Sequence, residues 1–79
     1  MTGIEHLVLE NIHPQFGAKY LARDEDDSLW VFDMKPVKGA NTWSSDVFHP
    51  PESLNLFSHM FRFVQWEDKE PYKIEVKNN

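Results

Sequence analysis

The stretch "KYLARDEDDSLWVFDMKP", residues 19–36, decides how this chain folds. Tyr20, Leu21 and Ala22 form one short apolar arm, and Leu29 to Phe32 form another. Between them lies an acidic run, Asp24 to Asp27, closed by Ser28. Two apolar arms joined by polar turn formers predict an antiparallel β-hairpin that turns within Asp24 to Ser28. Aspartate suits such a turn because its carboxylate accepts backbone N–H groups two residues on. In the second arm side chains alternate, Trp30 and Phe32 against Leu29 and Val31. Both sets are apolar, so this strand is expected inside its sheet and covered on both faces.

Outward from the hairpin, the final segment shows similar alternation. "FRFVQWE" places Phe61, Phe63 and Gln65 opposite Arg62, Val64 and Trp66, and "YKIEV" places Tyr72, Ile74 and Val76 opposite Lys73 and Glu75. Joined by "DKEP", these arms predict a second hairpin. The expected core is Trp30, Phe32, Phe63, Val64, Trp66 and Ile74. Between the hairpins, residues 34–53 read as a loop broken by Pro36, Gly39, Pro50 and Pro51. "PPESLNLFSHMF" is compatible with a short helix that puts Leu54, Phe57 and Phe61 on one face. At the N-terminus, "IEHLVLE" fits a strand or a short helix, and Pro14 and Gly17 are expected to break the chain.

Seventy-nine residues make one domain, 1–79, with 1–3 and 77–79 expected to fray. Six Phe, three Trp and two Tyr compensate for the small core of so short a chain. There is no cysteine, so disulfides and thiolate metal sites are excluded. No apolar run reaches the roughly 18–20 residues of a membrane-spanning helix, and a cytoplasmic location is expected. The fold class is a β-rich α+β domain: an antiparallel sheet of four to five strands built from two hairpins, covered by a short helix or a long loop.

The net charge is −5, and its placement is uneven. Asp24 to Asp33 carries five acids and no base, and "WEDKEP" adds three acids against Lys69. The basic residues are scattered, which disfavours direct nucleic-acid binding. A calcium loop starting at Asp24 would need Gly at its sixth position and Glu at its twelfth, where this chain has Leu29 and Lys35. The acidic run is therefore read chiefly as a solvated turn. His6, His13, His49 and His59 lack any metal-ligand spacing. Ser44, Ser45, Asp46 and His49 contain the residue types of a nucleophilic triad, but no elbow glycines accompany them. Neither catalysis, cofactor nor metal is assigned. The residues left for contact with a partner are Asp24, Glu25, Asp26 and Asp27 in the turn, with Trp43 and Phe48 in the long loop. For Trp43 and Phe48 the alternative is that they fold back and cap the sheet.

Ala22, Arg23, Asp24, Asp26, Leu29, Phe32, Lys35 and Pro36, followed by Trp66, Glu67, Asp68 and Pro71, make a recurring pattern. It resembles that of small uncharacterised proteins of phages and prophages of Gram-positive bacteria, which carry ARDxDGxLxLFxxKPxK and a closing WEDxxP-like turn. The resemblance spans residues 20–76 and departs at Asp27, where that family has Gly. It implies a phage origin and a small β-rich fold, and brings no catalytic residues. The expected function is thus a non-enzymatic phage accessory protein in the host cytoplasm. It would bind a host bacterial protein and inhibit or redirect it, as a monomer or weak homo-oligomer. Two alternatives remain open at this point, an acidic DNA mimic and a structural virion component.

Overall fold

The computed structural model describes residues 2–46, 48 and 50–75, with the backbone alone for 13–16. The order of elements is α1 (Gly3–Phe16), β1 (Tyr20–Arg23), β2 (Leu29–Phe32), β3 (Val37–Lys38), β4 (Trp43–Ser44), β5 (Glu52–Ser53), a 3-10 turn (Asn55–Phe57) and β6 (Tyr72–Lys73). An antiparallel sheet runs β5-β2-β1-β6, and β3 and β4 form a separate two-stranded ribbon. This is the expected β-rich α+β class in one small domain.

The hairpin forms where the sequence places it. Tyr20 faces Phe32 and Arg23 faces Leu29 across the β1–β2 pair. The two strands are the inner pair of the sheet, so both faces need cover. On one face Leu21, Leu29 and Val31 pack with Leu9 and Ile12 of α1 and with Leu54, Phe61, Val64 and Ile74. On the other, Ala22 and Phe32 pack with Trp43, flanked by Tyr20, Trp30 and Trp66. The alternation of β1 and β2 thus sorts two cores to opposite sides of one sheet.

The N-terminal segment is a helix. Thr2 accepts the Glu5 amide at 3.1 Å and the Glu5 carboxylate accepts the Thr2 amide at 2.8 Å, a complete capping box. Thr2 caps the helix and Gly3 opens it, whereas Met1 and residues 77–79 lie outside the described ones. Glu5, Leu9 and Ile12 are buried at helical spacing, while Ile4 and Leu7 face solvent. Pro14 does not end the helix. The helix runs past it to Phe16. Gly17, at φ 61°, ends it in the left-handed conformation that glycine adopts without a side-chain clash.

Three expectations fail. The segment 61–67 is not a strand, so the second expected hairpin does not form and β6 instead pairs with β1, Tyr20 opposite Lys73. Val76, expected in that last arm, lies outside the described residues. Phe63, expected in the core, is 42 % exposed, and Phe61 with 0 % exposure takes its place. Phe63 packs edge-on against Tyr72, ring centroids 5.1 Å apart. Trp30 and Trp66 are only partly buried, while Phe32, Val64 and Ile74 are buried as expected. Finally, no helix opens at Pro51. Glu52 and Ser53 extend the sheet beside β2, and the Leu54 amide continues the pairing to the Leu29 carbonyl at 2.8 Å.

Candidate functional site

The acidic run is built into the fold more deeply than a solvated turn. The Asp27 amide donates to the Asp24 carbonyl at 3.0 Å, and the Asp24 amide to the Ser28 carbonyl at 2.9 Å. Asp27 itself sits at φ 75°. This is a three-residue hairpin loop in which a left-handed residue closes the turn. Aspartate is among the few residues other than glycine that visit this region.

Each acid has its own neighbours. Asp24 is buried, 7 % exposed, and its Oδ1 accepts the Trp43 amide at 2.8 Å. The Glu25 amide donates to the Asn41 carbonyl at 3.0 Å. Together these contacts pin the β3–β4 ribbon to the tip of the main hairpin. Burial pushes the Asp24 carboxyl above the ordinary aspartate range, and the Trp43 amide offsets part of that. Asp26 accepts both the hydroxyl and the amide of Ser28, which hold its carboxyl below the usual range. The Asp27 carboxylate is lowered by a hydrogen bond from Arg62, 3.1 Å away, and lies 3.7 Å from the Arg23 guanidinium. Asp26 and Asp27 stay exposed, as does Glu25.

Trp43 is a core residue, at 5 % exposure, and not an accessible contact. Among the described residues α1 packs on one face of the main sheet, and the ribbon carries an aromatic residue onto the other. Lys38, opposite Trp43 in the ribbon, fastens it. Its Nζ lies 4.3 Å from the Trp66 ring centroid and 5.7 Å from that of Trp43, and donates to the Trp66 and Asp68 carbonyls. Phe48 is 84 % exposed. His49 lies outside the described residues, and of His13 only the backbone is described. Among the described residues no group of three His, Asp or Glu side chains is placed to hold a metal ion.

Sequence reading missed the residue that organises this end of the molecule. Arg23 is 3 % exposed and uses all five of its N–H donors on backbone carbonyls: Nε to Val64 at 2.8 Å, Nη1 to Asp27 and Ser58 at 2.9 and 3.0 Å, Nη2 to Met60 and Phe61 at 2.9 and 3.2 Å. Burial lowers its pKa, and Arg62 adds to that, yet an arginine stays charged. Phe61 is held from the other side as well, because the buried Glu5 carboxylate accepts its amide. Phe61 has φ 55°, so a backbone shape that apolar residues avoid is fixed by an anion at its N–H and a cation at its C=O. The capping-box spacing Thr2-x-x-Glu5 was the available signal for the first of these. The alternation of β1, which turns Arg23 to the same face as Leu21, was the signal for the second.

The turn and the segment that Arg23 shapes border one open cleft of about 460 Å³. It is lined by Arg23, Asp24, Glu25 and Asp27 from the turn and by Arg62, Gln65, Trp66 and Glu67 from the later segment. Both acidic clusters of the sequence, remote along the chain, thus meet beside a half-buried tryptophan. Four carboxylates stand against two guanidinium groups, both already bonded within the chain. No helix among the described residues is long and apolar enough to cross a membrane. Comparison with protein-family models, curated proteins and solved structures gave no match.

Proposed function

We propose that this chain is a non-enzymatic phage accessory protein that binds a host bacterial protein in the cytoplasm and inhibits or redirects it. The phage origin rests on the sequence resemblance. The observation that carries the binding reading is the cleft where Glu25, Asp27 and Glu67 meet Trp66. Charged side chains deeper in the molecule, Arg23, Glu5 and Asp24, are engaged in holding backbone. The rim carboxylates are what a partner would meet. Such a rim steers a basic surface toward itself and raises the association rate, and a tryptophan at the centre supplies contact area. This surface replaces the Trp43-centred one, since Trp43 is buried. Exposed Phe48 is a secondary contact.

The test is capture from a Gram-positive host lysate with the tagged chain, with bound proteins identified by mass spectrometry. One host protein should be retained stoichiometrically, with binding that weakens as salt rises. Glu25→Lys combined with Glu67→Lys should abolish retention without changing the fold seen by circular dichroism. Retention unaffected by the double variant would place the contact elsewhere. A captured DNA-binding protein that duplex DNA displaces would favour a DNA mimic instead.

A further inference from the structure

Glu5 carries two backbone amides on two different oxygens. Its Oε1 accepts the Thr2 amide at 2.8 Å, and its Oε2 accepts the Phe61 amide. The first bond is local to the helix cap. The second reaches 56 residues along the chain, to a residue at φ 55°. A carboxylate offers an acceptor to each donor, whereas a neutral carboxyl turns one of its oxygens into an O–H donor. Two N–H groups converging on one buried side chain therefore require its charge. The same bonds hold the Glu5 carboxyl below the ordinary glutamate range, the Thr2 amide first and the Phe61 amide next. Asp24, the other buried carboxylate among the described residues, is built differently. It holds the ribbon through the Trp43 amide on Oδ1, and a neutral carboxyl still has an oxygen for that bond.

We propose that Glu5 is a proton-operated latch: once protonated it keeps Thr2 and gives up Phe61, and residues 58–64 come away from the start of α1 while the hairpin and the ribbon stay in place. Phe61 is the arm that yields, because its backbone holds a shape that apolar residues avoid and the Glu5 bond is one of those that keep it there. Thr2 is held by the helix start itself, with its hydroxyl on the Glu5 amide. An open groove of about 430 Å³ beside the bond, lined by Thr2, Ile4, Glu5, His59 and Met60, gives water and protons access to the carboxyl. The other charged or titratable groups at this joint are His59 in the groove, Arg23 at the Phe61 carbonyl and the amino terminus, while His6 pairs outward with Glu10. Arg23 has no lone pair to offer the freed amide. Since the folded Glu5 carboxyl lies below its unfolded value, the latch is closed above the ordinary glutamate range and opens as pH falls through the folded value. Asp24 has the opposite sign, raised by burial, so acid does not loosen the ribbon through it. Asp26 and Asp27, both lowered, also give up bonds in acid, but those lie in the exposed turn and its contact with Arg62.

The test is a nuclear magnetic resonance titration of the full, isotope-labelled chain from pH 7 to about 2. The Phe61 amide proton should move upfield in step with the Glu5 carboxyl carbon, while the Leu21 and Val31 amides of the hairpin hold their positions through that step. Glu5→Gln has one acceptor oxygen in place of two and should show the released state already at pH 7. In it the Phe61 amide should lose about tenfold or more of its hydrogen-exchange protection, with Leu21 and Val31 changing far less. Should that variant not fold, the titration of the parent still decides. Loss of Phe61, Leu21 and Val31 together in a single acid transition would overturn the latch. So would a folded Glu5→Gln in which Phe61 keeps its protection, or in which the Thr2 amide shifts and the Phe61 amide does not.

Discussion

Residues 20–32 and residues 61–75 present the same pattern to a reader of the sequence, alternating apolar arms around an acidic turn, yet only the first becomes a hairpin. The difference lies in who takes the backbone carbonyls. In the first segment the strands pair with each other, Leu21 opposite Val31 and Ala22 opposite Trp30. In the second, the carbonyls of Phe61 and Val64, with those of Ser58 and Met60 just before, are taken by Arg23. Backbone groups taken out of water must be satisfied by something. Here one buried guanidinium does so for a whole segment, and a ladder is not needed. Period-two alternation is therefore a statement about burial and not about pairing.

That comparison can be broken most directly at Arg23. Arg23→Ala would strand four carbonyls of the 58–64 segment and is expected to cost about 3–5 kcal/mol, against a total of about 5 kcal/mol for a domain this small. Denaturant unfolding should find the variant with at most about 2 kcal/mol of stability left. Arg23→Lys should rescue it only in part, since an ammonium has three donors in place of five. A variant that unfolds like the parent would show that the segment holds itself.

The next largest effect separates the two neighbouring phenylalanines. Phe61→Ala empties a fully buried site and should cost about 3–4 kcal/mol. Phe63→Ala, at 42 % exposure, should cost less than about 1.5 kcal/mol. Thermal melts of the pair decide it. The reverse order would mean that 61–67 keeps the strand-like face expected from its alternation.

Glu5, which holds Phe61 from the helix side, gives the comparison a pH axis. Hydrogen bonds from the Thr2 and Phe61 amides lower its carboxyl, so its folded pKa lies below the unfolded value. The stabilisation is then fully present above the ordinary glutamate range and is lost as pH falls through the folded pKa. Asp24, raised by burial, has the opposite sign: its contribution is present at low pH and lost as pH rises through its folded value. Stability measured from pH 3 to 7 should fall more gently with acid in Glu5→Gln, and more steeply in Asp24→Asn. Glu5→Ala, which leaves two amides without an acceptor, should also cost about 2 kcal/mol at neutral pH.

What was legible in the sequence follows the same line. The hairpin, its turn and its two covered faces depend on local alternation and turn chemistry, and Tyr20 to Phe32 carry both. The helix was legible in principle, because Thr2 and Glu5 spell its cap, but the mixed run of Ile4, Leu7, Val8 and Leu9 hid the period. The burial of Trp43 and the exposure of Phe63 were not legible. They depend on Asp24 reaching the Trp43 amide 19 residues away and on Arg23 reaching Val64 41 residues away. The cleft was half legible, since both acidic clusters stand out in the sequence, whereas their meeting around Trp66 is a product of those same long-range bonds.

The smallest effect is expected at Asp27, where the comparison turns on backbone shape alone. Asp27 and Phe61 are the two described non-glycine residues with positive φ, at 75° and 55°. Phe61 is held there by buried charges on both sides, but Asp27 is exposed and depends on the turn, with Arg62 and Arg23 as partners. Replacing Asp27 by Gly removes the steric cost of the left-handed conformation, while it adds freedom to the unfolded chain and removes a screened ion pair. These terms oppose one another, so Asp27→Gly should leave the melting temperature within a few degrees of the parent. Asp27→Val keeps the loss of the pair and adds a β-branched side chain at positive φ, so it should melt clearly lower. If Gly and Val variants fell equally, the ion pair with Arg62 would be holding the turn. If only Val falls, the backbone holds it, and the Asp at this position is free to face the cleft.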